Sequence, residues 1–162
     1  MRPWQKYGIF TLVAGAVVLL DQLSKAWVSK GIPLYHSVPV IPSFFSLTHV
    51  LNPGGAFGFF AQNDSSMRHW FFLVAIAVAM ALILYFYHQT PNTHRILGIA
   101  LAMIFGGAVG NAIDRLRFGK VVDFLDVYVG QYHWPTFNLA DSAVTIGVTI
   151  FVIHLVFRKM PY

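Results

Sequence analysis

The sequence predicts an all-α membrane protein with four transmembrane helices. Hydrophobic residues make up 57% of the 162-residue chain and charged residues only 10%, against about 25% charged residues in a soluble domain. Four separate apolar runs each have the length of about 17 to 25 residues that a transmembrane helix uses. No linker-like segment divides the chain, so residues 1–162 are expected to form a single membrane domain. The four runs are residues 7–28, 70–88, 96–113 and 141–157.

The first run follows a short basic start, as the apolar core of a cleaved signal peptide also does. It is longer than such a core, which has about 7 to 15 residues, and no A-x-A cleavage site closes it. We therefore expect an uncleaved helix. Asp21 and Lys25 lie four residues apart near its end, with the acid first, the order that favours an ion pair on one helix face. Anchoring of the helix end is the expected role of Asp21, with direct catalysis as the alternative.

The first loop, residues 29–69, is the longest segment without a helical pattern. The β-branched and aromatic residues of VPVIP and FFSLTHVL predict short strands lying on the membrane surface. Asn52, Pro53, Gly54 and Gly55 together predict a turn that reverses the chain.

The third run contains a GxxxG pattern, in which Gly106 and Gly110 allow another helix to approach closely. Polar groups gather at the end of this helix, where the chain leaves for the second loop, residues 114–140. The residues along this adjoining face are Gly107, Asn111, Asp114 and Arg115.

The fourth run begins at Asp141, three residues after Asn138. An aspartate is common at the N-cap or in the first turn of a helix, where the helix dipole favours negative charge. That capping role is the structural alternative to a catalytic role for Asp141.

Four spans place both termini on one side of the membrane and the two long loops on the other. The lysines and arginines of the terminal side lie in short segments close to helix ends, whereas those of the other side are spread over the long loops. Basic residues in short segments mark the cytoplasmic side. We therefore expect cytoplasmic termini, with the long loops outside.

Residues 106–142 hold four of the six acidic residues, and the chain has no glutamate. Asp123 interrupts the apolar string VVDFLDVYV and Asp141 opens an apolar run, so both are expected where the bilayer meets water. Two carboxyl groups brought close together share one proton and can supply a general base and a general acid. This pattern indicates the chemistry of an aspartic protease. Asp126, three residues after Asp123, is the alternative member, and a structural role is expected for it.

The sequence does not contain the residues or motifs that other common protease mechanisms require. The chain has no cysteine for a thiol nucleophile, no H-E-x-x-H zinc motif, and no G-x-S-x-G frame around Ser142. Its net charge of +5 is scattered singly, without the basic patch of a nucleic-acid-binding protein. We expect no metal and no cofactor. A small proton- or ion-coupled transporter is the alternative function, followed by a purely structural subunit.

Five sequence blocks, in this order and spacing, resemble the bacterial lipoprotein signal peptidase (signal peptidase II) family. They cover nearly the whole chain, and together they are highly specific. The second block is more commonly NxGAAF, so Gly55 stands in place of an alanine. The blocks are DQLSK (21–25), NPGGAF (52–57), GGAVGNAIDR (106–115), VVDFLD (121–126) and FNLADS (137–142).

The resemblance implies a four-helix aspartic endopeptidase of the bacterial inner membrane, with its active site on the periplasmic side. It implies cleavage of diacylglyceryl-modified prolipoproteins on the N-terminal side of the lipidated cysteine, contact with membrane lipids, and inhibition by globomycin. It also implies a small periplasmic β-subdomain and a short periplasmic helix in the first loop, and we expect a monomer. The family's catalytic pair falls on Asp123 and Asp141. Its supporting residues fall on Asp21, Asn52, Gly54, Asn111, Asp114, Arg115 and Asn138.

Overall fold

The computed structural model describes residues 3–54 and 65–157 as four helices and a four-stranded sheet. All four helices are long and apolar enough to cross a membrane, which confirms the predicted fold class. Each predicted span lies within one helix. The elements are α1 (Pro3–Gly31), β1 (Ser37–Ile41), β2 (Phe45–Asn52), α2 (Ser65–Gln89), α3 (Arg95–Phe118), β3 (Val121–Val129), β4 (Tyr132–His133) and α4 (Leu139–Phe157).

Helix α3 lies at the centre of the bundle and packs against α1, α2 and α4. Glycines make these approaches possible. A Cβ atom on Gly106 would lie 2.8 Å from the carbonyl oxygen of Ala14 on α1, and one on Gly147 of α4 would lie 2.7 Å from that of Ala100 on α3. The close approach predicted from the GxxxG pattern is therefore confirmed.

Helix α3 continues to Phe118, beyond the predicted start of the second loop at residue 114. The sequence IDRLRF contains no proline or glycine that would end a helix earlier. The helix ends at Gly119, whose φ of 67° is the left-handed conformation that glycine adopts readily, and whose N–H donates to the carbonyl oxygen of Arg115. Asp114 and Arg115 thus lie on a helix, and the predicted loop boundary is wrong by about one turn.

The antiparallel sheet has the order β1-β2-β3-β4 and combines both long loops. The two strands predicted in the first loop are present, but the pairing of β2 with β3 of the second loop was not predicted. Val50 pairs with Asp123, and a register shift lies just before it in β2, between Leu47 and Val50. The predicted short helix of the first loop is not found in residues 33–54, and residues 55–64, including Gly55, lie outside the described residues.

Two apolar clusters hold the helices and the sheet together. One joins α1, α2 and α3 through buried residues such as Phe10, Tyr87 and Leu101. The other joins the end of α1 to β3 through Val28, Ile32 and Phe124. Asp21 and Lys25 lie between these two clusters along α1, and both side chains are buried.

Candidate active site

Asp123 on β3 and Asp141 on α4 line the same cavity, which has a volume of about 1070 Å³. We call these two residues the aspartate pair. Three further polar side chains that the sequence singled out, Asn52, Asn111 and Arg115, also line the cavity. Its apolar wall includes Val121, Phe137, Val144 and Ile146.

The carboxyl group of Asp123 is almost completely buried, with 2% of the residue exposed. Asn52 Nδ2 donates to one oxygen over 2.9 Å, and Asn138 Nδ2 donates to the other over 2.7 Å. Burial raises the pKa of Asp123 to about 7, and the negative charge of Asp141 also raises it, while the two amide hydrogen bonds lower it. Near neutral pH this carboxyl group can therefore hold or release a proton.

Asp141 lies in the first turn of α4 and forms a reciprocal cap with Asn138. The Asp141 N–H donates to Asn138 Oδ1 over 2.9 Å, and the Asn138 N–H donates to Asp141 Oδ2 over 3.2 Å. The other oxygen, Oδ1, accepts a hydrogen bond from Asn111 Nδ2 over 2.8 Å. The capping role that was the structural alternative for Asp141 is therefore present. The same carboxylate also faces the cavity, so the capping role and the predicted catalytic role are compatible.

A hydrogen bond between Asn52 and Gly54 orients the side chain of Asn52, while the predicted reversal of the chain includes Gly55, which lies outside the described residues. Asn52 Oδ1 accepts the N–H of Gly54 over 3.0 Å, which leaves its amide nitrogen facing Asp123. The carbonyl oxygen of Gly54 accepts a hydrogen bond of 2.9 Å from Arg115 Nη2. The guanidinium group of Arg115 also lies 4.1 Å from the ring centroid of Phe72. These contacts attach the end of β2 to α3 beside the aspartate pair.

Asp21 and Asp114 are buried behind the aspartate pair, and neither is among the described residues that line the cavity. Asp21 Oδ1 accepts the backbone N–H of Ala140 over 3.0 Å, and Asp114 Oδ2 accepts that of Val122 over 3.1 Å. Ala140 and Val122 are the residues immediately before Asp141 and Asp123. Each of the two buried carboxylates therefore fixes the backbone next to one member of the pair, and this geometry does not favour direct catalysis by Asp21.

The predicted ion pair between Asp21 and Lys25 is confirmed, with Nζ 2.8 Å from Oδ2. The sequence did not predict that Lys25 also contacts Asp114, over 2.9 Å, and Asn111 Oδ1, over 3.0 Å. Gln22 was missed altogether, although its Nε2 donates to both Asp21 and Asp114. The only local signal was its position next to Asp21, since Asp114 is 92 residues away in sequence.

Asp126 lies away from the aspartate pair. It is three residues from Asp123 on a strand, so the two side chains point to opposite faces of the sheet. Both of its oxygens lie within 3.1 Å of His133 Nδ1 on β4. Within residues 3–54 and 65–157, no group of three or more metal-ligating side chains is placed to hold a metal ion.

Residues 13–157 match the sequence profile of the family described as signal peptidase (SPase) II. The chain is also 54% identical to a lipoprotein signal peptidase of Desulforapulum autotrophicum, over 93% of both chains. The chain belongs to the signal peptidase II family. A lipoprotein signal peptidase of Syntrophus aciditrophicus is 45% identical over 93% of this chain and 94% of its own length.

Solved structures agree with this assignment. Two structures described as bacterial membrane enzymes superpose on this chain with TM-scores of 0.84 and 0.82 and sequence identities of 32% and 31%. They cover 94% and 96% of this chain, and it covers 95% and 94% of theirs. The protein is therefore a multi-pass bacterial membrane peptidase, and the predicted family and enzyme class are confirmed. The transporter and structural-subunit alternatives are set aside by family membership.

Proposed function

We propose that this signal peptidase II removes the signal peptide from diacylglyceryl-modified prolipoproteins, with Asp123 and Asp141 as its catalytic residues. Cleavage takes place on the N-terminal side of the lipidated cysteine. The name lipoprotein signal peptidase, shared by its relatives, supports the substrate class. The observation that carries the catalytic assignment is that Asn138 hydrogen-bonds both carboxyl groups at the wall of one cavity.

The pair works with one carboxyl group protonated and the other ionised. The ionised member removes a proton from a water molecule, whose oxygen attacks the scissile carbonyl carbon. The protonated member donates a hydrogen bond to the carbonyl oxygen as negative charge develops on it. The C–N bond then breaks, and the amine of the lipidated cysteine leaves with a proton returned by the pair. The pKa of about 7 for Asp123 supports this mechanism, because one shared proton is then present near neutral pH.

The polar residues around the aspartate pair divide into two groups by their contacts. Asn111 and Asn138 hold the carboxyl groups and fix their separation. Asn52, Gly54 and Arg115 form the edge of the cavity at the end of β2, where an extended peptide backbone can lie. The apolar wall formed by α4 gives the acyl chains of the substrate a surface that continues into the lipid. The proposed partners of the enzyme therefore include membrane lipids, which contact this wall.

The proposed location is the inner membrane of a bacterium with an outer membrane, with both termini in the cytoplasm and the aspartate pair on the periplasmic side. The concentration of basic residues in short segments beside the helix ends on the terminal side supports this orientation. We propose a monomer, because both carboxyl groups and all the hydrogen-bond partners described above come from one chain.

Cleavage of a diacylglyceryl-modified prolipoprotein by protein purified in detergent tests this function. Asp123→Asn and Asp141→Asn are each expected to reduce kcat by at least about 10⁴-fold, because each removes the base or the acid of the pair. Asp126→Asn is the matched control, since it neutralises an aspartate on the same strand that faces away from the cavity. Globomycin is expected to inhibit the wild-type enzyme. Normal cleavage by correctly folded Asp123→Asn or Asp141→Asn would remove the assignment.

A further inference from the structure

Lys25 contacts three different supports of the aspartate pair with one ammonium group. The residue is 3% exposed, and its Nζ lies 2.8 Å from Asp21, 2.9 Å from Asp114 and 3.0 Å from Asn111. An ammonium group has three N–H donors, so all of them are used. We propose that Lys25 is the positioning residue of the aspartate pair, a role that rests on the proposed function of Asp123 and Asp141.

The two carboxylates that Lys25 joins act on the backbone. Asp21 accepts the N–H of Ala140, next to Asp141, and Asp114 accepts the N–H of Val122, next to Asp123. Two buried carboxylates on neighbouring helices repel each other unless a cation lies between them. Lys25 is that cation, so it keeps α1 and α3 together at the point where both members of the pair are held.

The third contact determines which way the amide of Asn111 points. Lys25 can only donate hydrogen bonds, so the oxygen of Asn111 must face it. The amide nitrogen is thereby directed to Asp141 Oδ1, at 2.8 Å. The same oxygen of Asn111 accepts a bond of 3.2 Å from Asn138, the residue that also holds Asp123. One ammonium group thus orients the amide network that connects the pair.

Lys25 also supplies charge. The ionisable groups facing it from the packed elements are Asp21 on its own helix, Asp114 on α3, Asp123 on β3 and Asp141 on α4. Two other ionisable side chains of the packed elements have different partners. His49 on β2 contacts Ser29, one turn further along α1, and Arg115 on α3 donates to the carbonyl oxygen of Gly54. The positive charge of Lys25 lowers the pKa of Asp123 against the effect of burial. A neutral residue at position 25 is therefore expected to move the titration of Asp123 to higher pH.

The test compares pH profiles of kcat and KM for lipopeptide cleavage by Lys25→Met, Lys25→Gln and the wild type. Lys25→Met is expected to lower kcat about 100-fold with a smaller change in KM, because a displacement of the reacting groups by about 1 Å costs about that much. Its profile is expected to lie at higher pH. Lys25→Gln keeps a hydrogen-bond donor without the charge, so the same pH shift is expected with a smaller loss of kcat.

The matched control is Lys30→Met, which removes a positive charge from an exposed position five residues further along α1. Its kcat and pH profile are expected to equal those of the wild type. Folding of every variant is checked by thermal unfolding in detergent. Should neither single variant fold, Lys25→Met combined with Asp114→Asn removes the cation and one carboxylate together, and low kcat is expected there as well.

Different results distinguish this inference from the proposed function. A folded Lys25→Gln enzyme with the wild-type pH profile and a kcat within about twofold of the wild type would overturn the role of Lys25, as would wild-type kcat in the double variant. Asp123→Asn is assayed alongside. If it is inactive, the proposed function stands whatever the result at position 25, and if it is fully active, the proposed function itself fails.

Discussion

The side-chain amide of Asn138 donates a hydrogen bond of 2.7 Å to the carboxyl group of Asp123. It does so from the position before the first residue of α4, where its side-chain oxygen also accepts the N–H of Asp141. The same side chain therefore caps the helix that carries Asp141 and holds the carboxyl group of Asp123 in place. Helix capping and active-site geometry cannot be separated at this residue.

Replacement of Asn138 by alanine is expected to damage both functions. We expect kcat to fall about 100-fold, since the two carboxyl groups lose their common partner, and the unfolding free energy to fall by about 1 kcal/mol or more from loss of the cap. Steady-state cleavage and thermal unfolding in detergent measure the two effects. Asn92→Ala, in the turn between α2 and α3, is the control and should leave kcat unchanged. Wild-type kcat in Asn138→Ala would show that the aspartate pair is held by other groups.

The raised pKa of Asp123 makes a prediction about stability. Its ordinary pKa is 3.8 and its pKa in the folded protein is about 7, so between these values the folded state binds the proton more tightly than the unfolded chain. The contribution of this group to stability is therefore full below pH 3.8 and is lost as the pH rises through 7. Asp123→Asn removes this dependence. The unfolding free energy of the variant minus that of the wild type should therefore increase by up to about 4 kcal/mol from pH about 4 to pH about 8.

The substitution also alters the hydrogen bonds to Asn52 and Asn138. A contribution of these bonds that is equal at pH about 4 and pH about 8 cancels when the variant and the wild type are compared at the two pH values. Unfolding in detergent at each pH gives the difference directly. A constant difference between variant and wild type across this range would contradict the raised pKa of Asp123.

Gly110 tests how closely the supporting carboxylate must fit. A Cβ atom at this position would lie 2.6 Å from Asp21 Oδ2, so Gly110→Ala is expected to displace the carboxylate that holds the N–H of Ala140. Overpacking of this kind costs about 1 to 3 kcal/mol of stability, and a kcat loss of about tenfold or more is expected. The control is Gly15→Ala on α1, where a Cβ atom would meet nothing within 4 Å. Equal kcat for the two variants would show that Asp21 tolerates displacement.

The parts of the fold that could be predicted have local signals. The apolar runs predicted all four helices, because a segment that crosses a bilayer must be apolar along its whole length. The ion pair of Asp21 and Lys25 followed from their spacing of four residues on one helix. Asp123 interrupts an apolar segment and Asp141 opens one, and this local pattern singled out both residues. Both line the cavity.

The parts that could not be predicted depend on contacts between distant segments. Pairing of β2 with β3 joins residues about 70 to 80 positions apart, as the bond between Asn52 and Asp123 shows with a separation of 71 residues, and strand propensity contains no information about such a partner. For the same reason the contact between Gln22 and Asp114, which are 92 residues apart, had no local signal. The end of the apolar run before Asp114 predicts a loop from residue 114, although helix α3 continues to Phe118.

The proposed orientation predicts which single cysteines a membrane-impermeant maleimide can reach, and the natural chain has no cysteine to interfere. Gln131→Cys, exposed in the turn between β3 and β4, should be labelled in intact spheroplasts, because the proposed orientation places this turn outside the cytoplasm. Thr93→Cys, exposed in the turn between α2 and α3, should be labelled only after the membrane is permeabilised. The two positions lie beyond opposite ends of α3, so each is the control for the other. The reverse pattern would place the aspartate pair on the cytoplasmic side, where exported prolipoproteins could not reach it after crossing the membrane.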